Sequence, residues 1–97
     1  MTIKVIGLIQ LNDLAAFEEY RSQVGDTVAL YQGTITSRGS FNAFLWNELN
    51  CDSFSAFVEL EFPDLEHSQS WANSPEYQSL LAIRSKAMKL TLFSVSL

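Results

Sequence analysis

This 97-residue chain has few of the residues that build metal sites and covalent cross-links, with a single cysteine, Cys51, and a single histidine, His67. One cysteine excludes a disulfide within the chain and favours a cytoplasmic location. Neither residue stands in a spacing that is typical of metal ligands, and no glycine-rich phosphate loop or nucleophile elbow is present. The sequence therefore predicts no metal and no organic cofactor.

Positive charge is also scarce. Six lysines and arginines stand against eleven acidic residues, which gives a formal net charge of −5. An acidic protein is repelled by phosphate backbones and anionic membranes, so neither nucleic acid nor a membrane is an expected partner. The first apolar run is interrupted by Gly7 and Gln10 and is too short to span a bilayer. A chain of this length is expected to form one domain, residues 1–97, around a modest core.

Aliphatic and aromatic residues recur with periods that predict the element order βαββαβ. The predicted strands are Ile3 to Leu11, a second from Gly33 through Ser37, its continuation from Phe41 to Leu49 after a bulge or bend at Gly39-Ser40, Phe54 to Phe62, and Met88 to Val95. Turn residues 50–53 are expected to join the second and third strands as a hairpin. The first helix is expected to begin at Asn12-Asp13 and to end at Gly25-Asp26. The second begins after Asp64 and restarts at Ser74-Pro75.

This element order predicts an α+β, ferredoxin-like fold, in which a four-stranded antiparallel sheet carries both helices on one face. Several apolar side chains then project from the other face, namely Ile6, Leu8, Phe57, Phe93 and Val95. An apolar patch of that extent marks an association surface. The pattern therefore predicts a homodimer that pairs its sheets face to face, with an interface of more than ~1,000 Å².

Several motifs together are similar to those of one family of small bacterial proteins. They are Glu61-Phe62-Pro63, Trp71, the run Ser74-Pro75-Glu76-Tyr77-Gln78, Arg84, and Gly33 upstream. With them the chain resembles the uncharacterised domain family 1330 over nearly its whole length. The resemblance implies a ferredoxin-like fold of the dimeric α/β-barrel superfamily. The chain departs from the family at Gln32-Gly33, where members usually carry two glycines, and at Glu48-Leu49, where they usually carry Glu-Gly.

Two carboxylates on the third strand are candidates for acid–base chemistry. Glu59 and Glu61 lie on the face that pairs in the predicted barrel, where partial burial would raise a carboxyl pKa toward a useful range. Glu61 is the stronger catalytic candidate. In the alternative interpretation, one or both carboxylates lie in water at the strand end, or pair with Lys4 or Lys89.

The second helix carries the candidate substrate-binding residues Trp71, Tyr77 and Arg84. Tyr77 and Arg84 share an otherwise apolar helix face, so Arg84 is expected either to bind a small organic acid or to pack its stem and place its head in solvent or on a structural acid. Trp71 and Tyr77 are each expected either to line the pocket, where Trp71 would close one side, or to belong to the core. His67 is expected to be an exposed residue near the helix start.

Two classes of function remain open. In the first, the protein is a cofactor-independent enzyme, similar to a monooxygenase or isomerase, that acts on a small oxygenated organic compound; this possibility is implied by the fold of the superfamily. In the second, it is a non-catalytic dimeric module that binds a metabolite or a partner. The two are distinguished by whether Glu61, Trp71, Tyr77 and Arg84 converge on one cavity. By strand periodicity, Glu61 and Arg84 lie on opposite sides of the sheet, so they are expected to meet only at a strand end or across the dimer.

Overall fold

Four strands form one antiparallel sheet in a computed structural model that describes residues 2–97. The strands β1 (Ile3–Leu11), β2 (Thr34–Ser40), β3 (Ala56–Phe62) and β4 (Met88–Ser96) lie in the order β2-β3-β1-β4. The helix α1 (Leu14–Leu30) follows β1, whereas α2 (Leu65–Ala72), α3 (Pro75–Gln78) and α4 (Leu81–Ala87) follow β3. This succession confirms the predicted ferredoxin-like fold. Among residues 2–97, no helix combines the length and apolar character needed to cross a membrane.

The core lies between the helices and one face of the sheet. On β1, Ile3, Val5, Gly7 and Ile9 are buried, and the residues that alternate with them are half-buried. Alternate positions of a strand point to opposite faces, so this pattern confirms that one face of β1 packs against the helices. The helices contribute a further set of buried residues: Ala16, Tyr20, Val24 and Val28 from α1, Trp71 from α2, and Tyr77 from α3.

The predicted end of the first helix at Gly25-Asp26 is wrong, because α1 continues to Leu30. A glycine inside a helix costs about 1 kcal/mol relative to alanine. Val28, one turn further on, is only 1% exposed. Burying a valine side chain contributes about 1.5–3 kcal/mol, so the packing of this turn outweighs the cost of the glycine.

The predicted continuation of the second strand over residues 41–49 is also wrong. Residues 41–55 form a loop between β2 and β3. The side chains of Leu45, Trp46 and Leu49 are 88%, 82% and 90% exposed, so no layer covers them. Phe41 and Phe44 instead pack on each other and on Phe54, and the rings of Phe41 and Phe54 lie 4.5 Å apart at their centroids. Part of the apolar pattern therefore reflects a local cluster of phenylalanines.

A β-bulge lies within β2, at Thr36, where the register of pairing with β3 shifts by one residue. The bulge or bend expected at residues 39–40 is therefore in the wrong place, because both residues pair regularly with β3. One extra residue exchanges the two faces for every later position of a strand. As a result, Arg38 pairs with Val58 and lies on the helix side of the sheet.

The end of α1 is a Schellman motif with an unfavourable residue at its left-handed position. The N–H of Gly33 donates to Val28 O at 3.0 Å, and that of Gln32 donates to Ala29 O at 3.1 Å. Gln32 has φ 62°, in the region that glycine adopts at least cost.

We expect Gln32→Gly to raise the free energy of unfolding by about 0.5–1 kcal/mol in urea denaturation, because it removes this backbone strain. The matched control Gln23→Gly, at an exposed position inside α1, is expected to lower it by about 1 kcal/mol. A loss of stability in Gln32→Gly would contradict this account of the helix end.

Candidate functional site

A cavity of about 320 Å³ lies between α1 and the sheet. Its wall is mostly apolar and includes Val24 from α1, Leu60 from β3 and Met88 from β4. Tyr20 and Trp71 add aromatic surface. Sites for small molecules occupy roughly 300–1,000 Å³ and combine an apolar wall with a few polar groups, so the cavity has the size and character of a small-ligand site.

Trp71 belongs both to the wall of this cavity and to the core. Its side chain is 2% exposed, and its indole Nε1 donates to the Thr27 hydroxyl at 3.0 Å. The Thr27 hydroxyl in turn donates to Val24 O at 2.7 Å. The Trp71 ring lies 4.4 Å from the ring of Tyr77 at the centroids. The two interpretations of Trp71 are thus compatible, and its role toward a ligand stays a prediction.

Tyr77 and Arg84 lie together, but behind the cavity wall. Arg84 Nη1 donates to the Tyr77 hydroxyl at 2.9 Å, and that hydroxyl lies 2.8 Å from the hydroxyl of Tyr20. Tyr20 lines the cavity, whereas Tyr77 and Arg84 do not. Burial raises the pKa of Tyr20, and the neighbouring Tyr77 raises it further. The Tyr20 hydroxyl therefore stays protonated. Among residues 2–97, Arg84 forms no ion pair.

Glu59 and Glu61 lie on the opposite face of the sheet from the cavity. Lys4 Nζ is 3.0 Å from a carboxylate oxygen of Glu61 and 3.4 Å from one of Glu59, which agrees with the alternative of pairing with Lys4. The pKa of Glu59 is lowered, and the largest cause is a hydrogen bond from the Thr36 hydroxyl at 2.7 Å. This direction is opposite to the rise that the sequence predicted. Within one protomer, Glu61 and Arg84 therefore lie on opposite sides of the sheet, and the catalytic role of Glu61 stays an untested prediction.

His67 contributes to the start of α2. Its backbone N–H donates to the capping carboxylate of Asp64 at 2.8 Å, and its ring Nδ1 lies 2.7 Å from the same oxygen. The backbone hydrogen bond is the largest cause of a lowered pKa at Asp64. The predicted cap at Asp64 is confirmed. Cys51 is exposed in the loop before β3, and no group of at least three potential metal-ligating residues was found between residues 2 and 97.

Two cationic residues of the cavity were missed by sequence reasoning. Arg21, an exposed residue of α1, lines the cavity, with its guanidinium 5.6 Å from the centre of the Phe17 ring. Arg38 also lines the cavity, because the bulge at Thr36 places it on the helix side. Along the described chain, the cavity wall holds no carboxylate, imidazole or thiol. Its charged and phenolic groups are hydrogen-bond donors, Arg21, Arg38 and Tyr20.

Comparison with known proteins agrees with this fold. The model of a family described as a domain of unknown function (DUF1330) matches residues 4–96. No curated protein matches the chain. A protein of unknown function from Rhodopseudomonas palustris, RPA0582, is similar in structure, with a TM-score of 0.76 at 15% identity over 97% of this chain and 80% of that one.

Two further solved structures are similar over almost their whole length. SnoaB, a cofactor-independent oxygenase from Streptomyces nogalater, has a TM-score of 0.69 at 9% identity, over 99% of this chain and 92% of that one. A dimeric ferredoxin-like protein of unknown function from Thermobifida fusca has a TM-score of 0.65 at 18% identity, over 100% of this chain and 92% of that one. At such identities the likeness supports the fold and not a shared activity.

Proposed function

The chain belongs to the family of the domain of unknown function DUF1330, and from its own cavity we propose that it is a homodimer that binds a small, largely apolar organic compound. The observation that carries the proposal is the cavity of about 320 Å³ between α1 and the sheet, with its apolar wall. Removing apolar surface from water contributes roughly 25 cal/mol per Å², which is the main source of affinity in a site of this kind.

The polar groups of the cavity favour binding over acid–base catalysis. A general base must accept a proton near neutral pH, and a carboxylate, an imidazole or a suitably tuned amine can do so. The ionisable groups in the described part of the wall are Arg21, Arg38 and Tyr20. An arginine keeps its proton, and the pKa of Tyr20 is raised by burial. A wall whose described residues offer hydrogen-bond donors and no general base supports a protein that binds a ligand and orients it.

The open face of the sheet supports the homodimer. The helices cover only one face, and on the other Phe93 and Val95 are 44% and 41% exposed. Ile6 pairs with Phe93 in the sheet and adds to the same apolar surface. An exposed patch of this kind is typical of an association surface. The description of a similar Thermobifida fusca protein as dimeric adds support for pairing.

We test the proposed site by titration with phenylbutyramide, an uncharged compound with an aromatic ring. The variant Trp46→Phe removes the exposed one of the two tryptophans and leaves Trp71, in the cavity wall, as the reporter. A saturable change in tryptophan fluorescence is expected, with a dissociation constant on the order of 1 mM or lower.

The cavity-filling variant Ala56→Phe is expected to abolish this signal, since Ala56 lines the cavity. Ala56→Leu is expected to weaken it. Ala82→Phe, at an exposed position of α4, is the matched control and is expected to leave it unchanged. Circular dichroism checks that each variant is folded. The cavity is not the site if folded Ala56→Phe binds the compound as well as the parent does.

A second candidate function is cofactor-independent oxygenation, and the specific observation in its favour is the similarity to SnoaB. Without a cofactor, the substrate itself would have to supply electrons to oxygen. An oxygen electrode, with chelator present, tests small hydroxylated aromatic compounds that bind the protein. Oxygen consumption above that of buffer supports this function. Its loss in Glu61→Gln, with binding retained, would support the catalytic role predicted for that residue.

A further inference from the structure

The charges around the proposed binding site narrow the class of its ligand. We propose that the ligand is an organic anion, whose apolar body fills the cavity and whose carboxylate or similar group is bound by Arg21 and Arg38. This inference rests on the proposed function, since it concerns the same cavity, and it adds the charge of the ligand and the residues that recognise it.

The charged residues that line the cavity are positive, whereas the net charge of the whole protein is negative. The chain has eleven acidic residues and only six lysines and arginines, and its net charge is −5. Two of those six, Arg21 and Arg38, line the cavity, whereas the described wall contains no aspartate or glutamate. Positive charges beside an apolar cavity raise the local concentration of anionic ligands. Their electric field is strong there because the apolar wall has a low dielectric constant and screens it little.

The two guanidinium groups are available to a ligand. Among residues 2–97, Arg38 forms no ion pair. Arg21 has one ion-pair partner, the exposed carboxylate of Glu18 at 3.4 Å, and a pair of that exposure is weak. A guanidinium binds a carboxylate with two parallel hydrogen bonds, so either arginine gains more from an organic anion than from its present contacts.

The bulge at Thr36 explains why Arg38 faces the cavity. In a regular strand with the register of Thr34 and Ile35, position 38 would lie on the open face of the sheet. The one-residue shift places Arg38 opposite Val58, which also lines the cavity. Bulges often re-aim a side chain near a functional site. The Thr36 hydroxyl holds the bulge by donating to the Glu59 carboxylate at 2.7 Å.

The test compares phenylbutyrate with phenylbutyramide, which differ in charge but share one apolar body. In the Trp46→Phe background, we expect phenylbutyrate to bind about tenfold more tightly. Arg38→Gln and Arg21→Gln are each expected to weaken phenylbutyrate about threefold or more and to weaken phenylbutyramide by a smaller factor. The double variant is expected to bind the two compounds equally. Lys86 is an exposed residue of α4, and Lys86→Gln is the control because it makes the same change in net charge.

The outcomes separate this inference from the proposed function. If both compounds bind with equal affinity, the cavity binds ligands without selecting anions and the inference fails. It fails too if Arg38→Gln and Arg21→Gln weaken both compounds alike, or if Lys86→Gln weakens phenylbutyrate as much as they do. If neither compound binds the parent, the proposed function itself fails. Added salt is expected to weaken phenylbutyrate only.

Discussion

Replacing Trp71 with alanine is expected to lower the free energy of unfolding by about 3–5 kcal/mol, the usual cost of truncating a large buried aromatic residue. The side chain is 2% exposed and packs on Tyr77 and on Phe62, whose ring centroid lies 5.6 Å away. Alanine would leave a void beside the existing cavity and would also remove the indole that donates to the Thr27 hydroxyl. Urea denaturation followed by circular dichroism measures the loss.

The other tryptophan provides the matched control. Trp46 is 82% exposed in the loop between β2 and β3, so Trp46→Ala is expected to change the free energy of unfolding by no more than about 0.5 kcal/mol. Trp71→Phe keeps an aromatic ring and loses the hydrogen bond, so its expected cost is intermediate. Equal stability of the two alanine variants would show that Trp71 is not part of the core.

Local sequence signals predicted the boundaries around the second helix. Pro63 ends the strand and Asp64 caps α2, while Ser74 and Pro75 begin α3 after the break. These signals are reliable because they act on adjacent residues: a capping side chain reaches the amide three residues on, as Ser74 does with Tyr77 at 3.1 Å. The predicted succession βαββαβ needed only the hydrophobic periods along the chain and the turn residues between them.

The errors arose where long-range packing outweighed a local preference. Gly25 is a poor helix residue, yet α1 passes through it because the next turn is buried. The segment 41–49 has the composition of a strand but no strand beside it. The bulge at Thr36 depends on how β2 pairs with β3, and a hairpin with so long a loop does not fix that register from the turn.

The difference between local signals and long-range packing also explains which site residues were predicted. Tyr77 and Arg84 lie together, as helical spacing predicted, although the chain breaks between them and places Tyr77 in α3 and Arg84 in α4. The contact of Tyr77 with Tyr20 on another helix could not be predicted from spacing. Strand periodicity correctly separated Glu61 from Arg84. The arginines of the cavity come from α1 and from a strand position that a bulge reverses, and neither placement is a local property.

The cavity and the open face of the sheet lie on opposite sides of the same strands and, among the described large apolar residues, share only Phe57, so binding and pairing are expected to be separable. Leu60 faces the cavity, while its neighbours Glu59 and Glu61 point to the open face, where they contact Lys4. In a sheet-to-sheet dimer this charged cluster would lie beside the apolar surface and would favour one relative orientation of the two copies. A variant that prevents pairing is therefore expected to retain the ligand site.

Phe93→Glu is expected to convert the proposed homodimer to a monomer, with the dissociation constant of the pair raised at least about 100-fold. Phe93 is 44% exposed on the open face of the edge strand β4, where it pairs with Ile6 of β1. A carboxylate there would be buried without a partner in a sheet-to-sheet interface, at a cost of several kcal/mol. Light scattering at micromolar concentration measures the mass of each variant.

Leu14→Glu is the control, because Leu14 is a 63% exposed apolar residue at the start of α1, away from the open face. An acid in the first turn of a helix is tolerated, so this variant is expected to remain dimeric. Monomeric Phe93→Glu is expected to bind phenylbutyramide as the parent does. A parent protein that is monomeric at this concentration, or a Phe93→Glu variant that pairs as tightly as Leu14→Glu, would contradict association through the open face of the sheet.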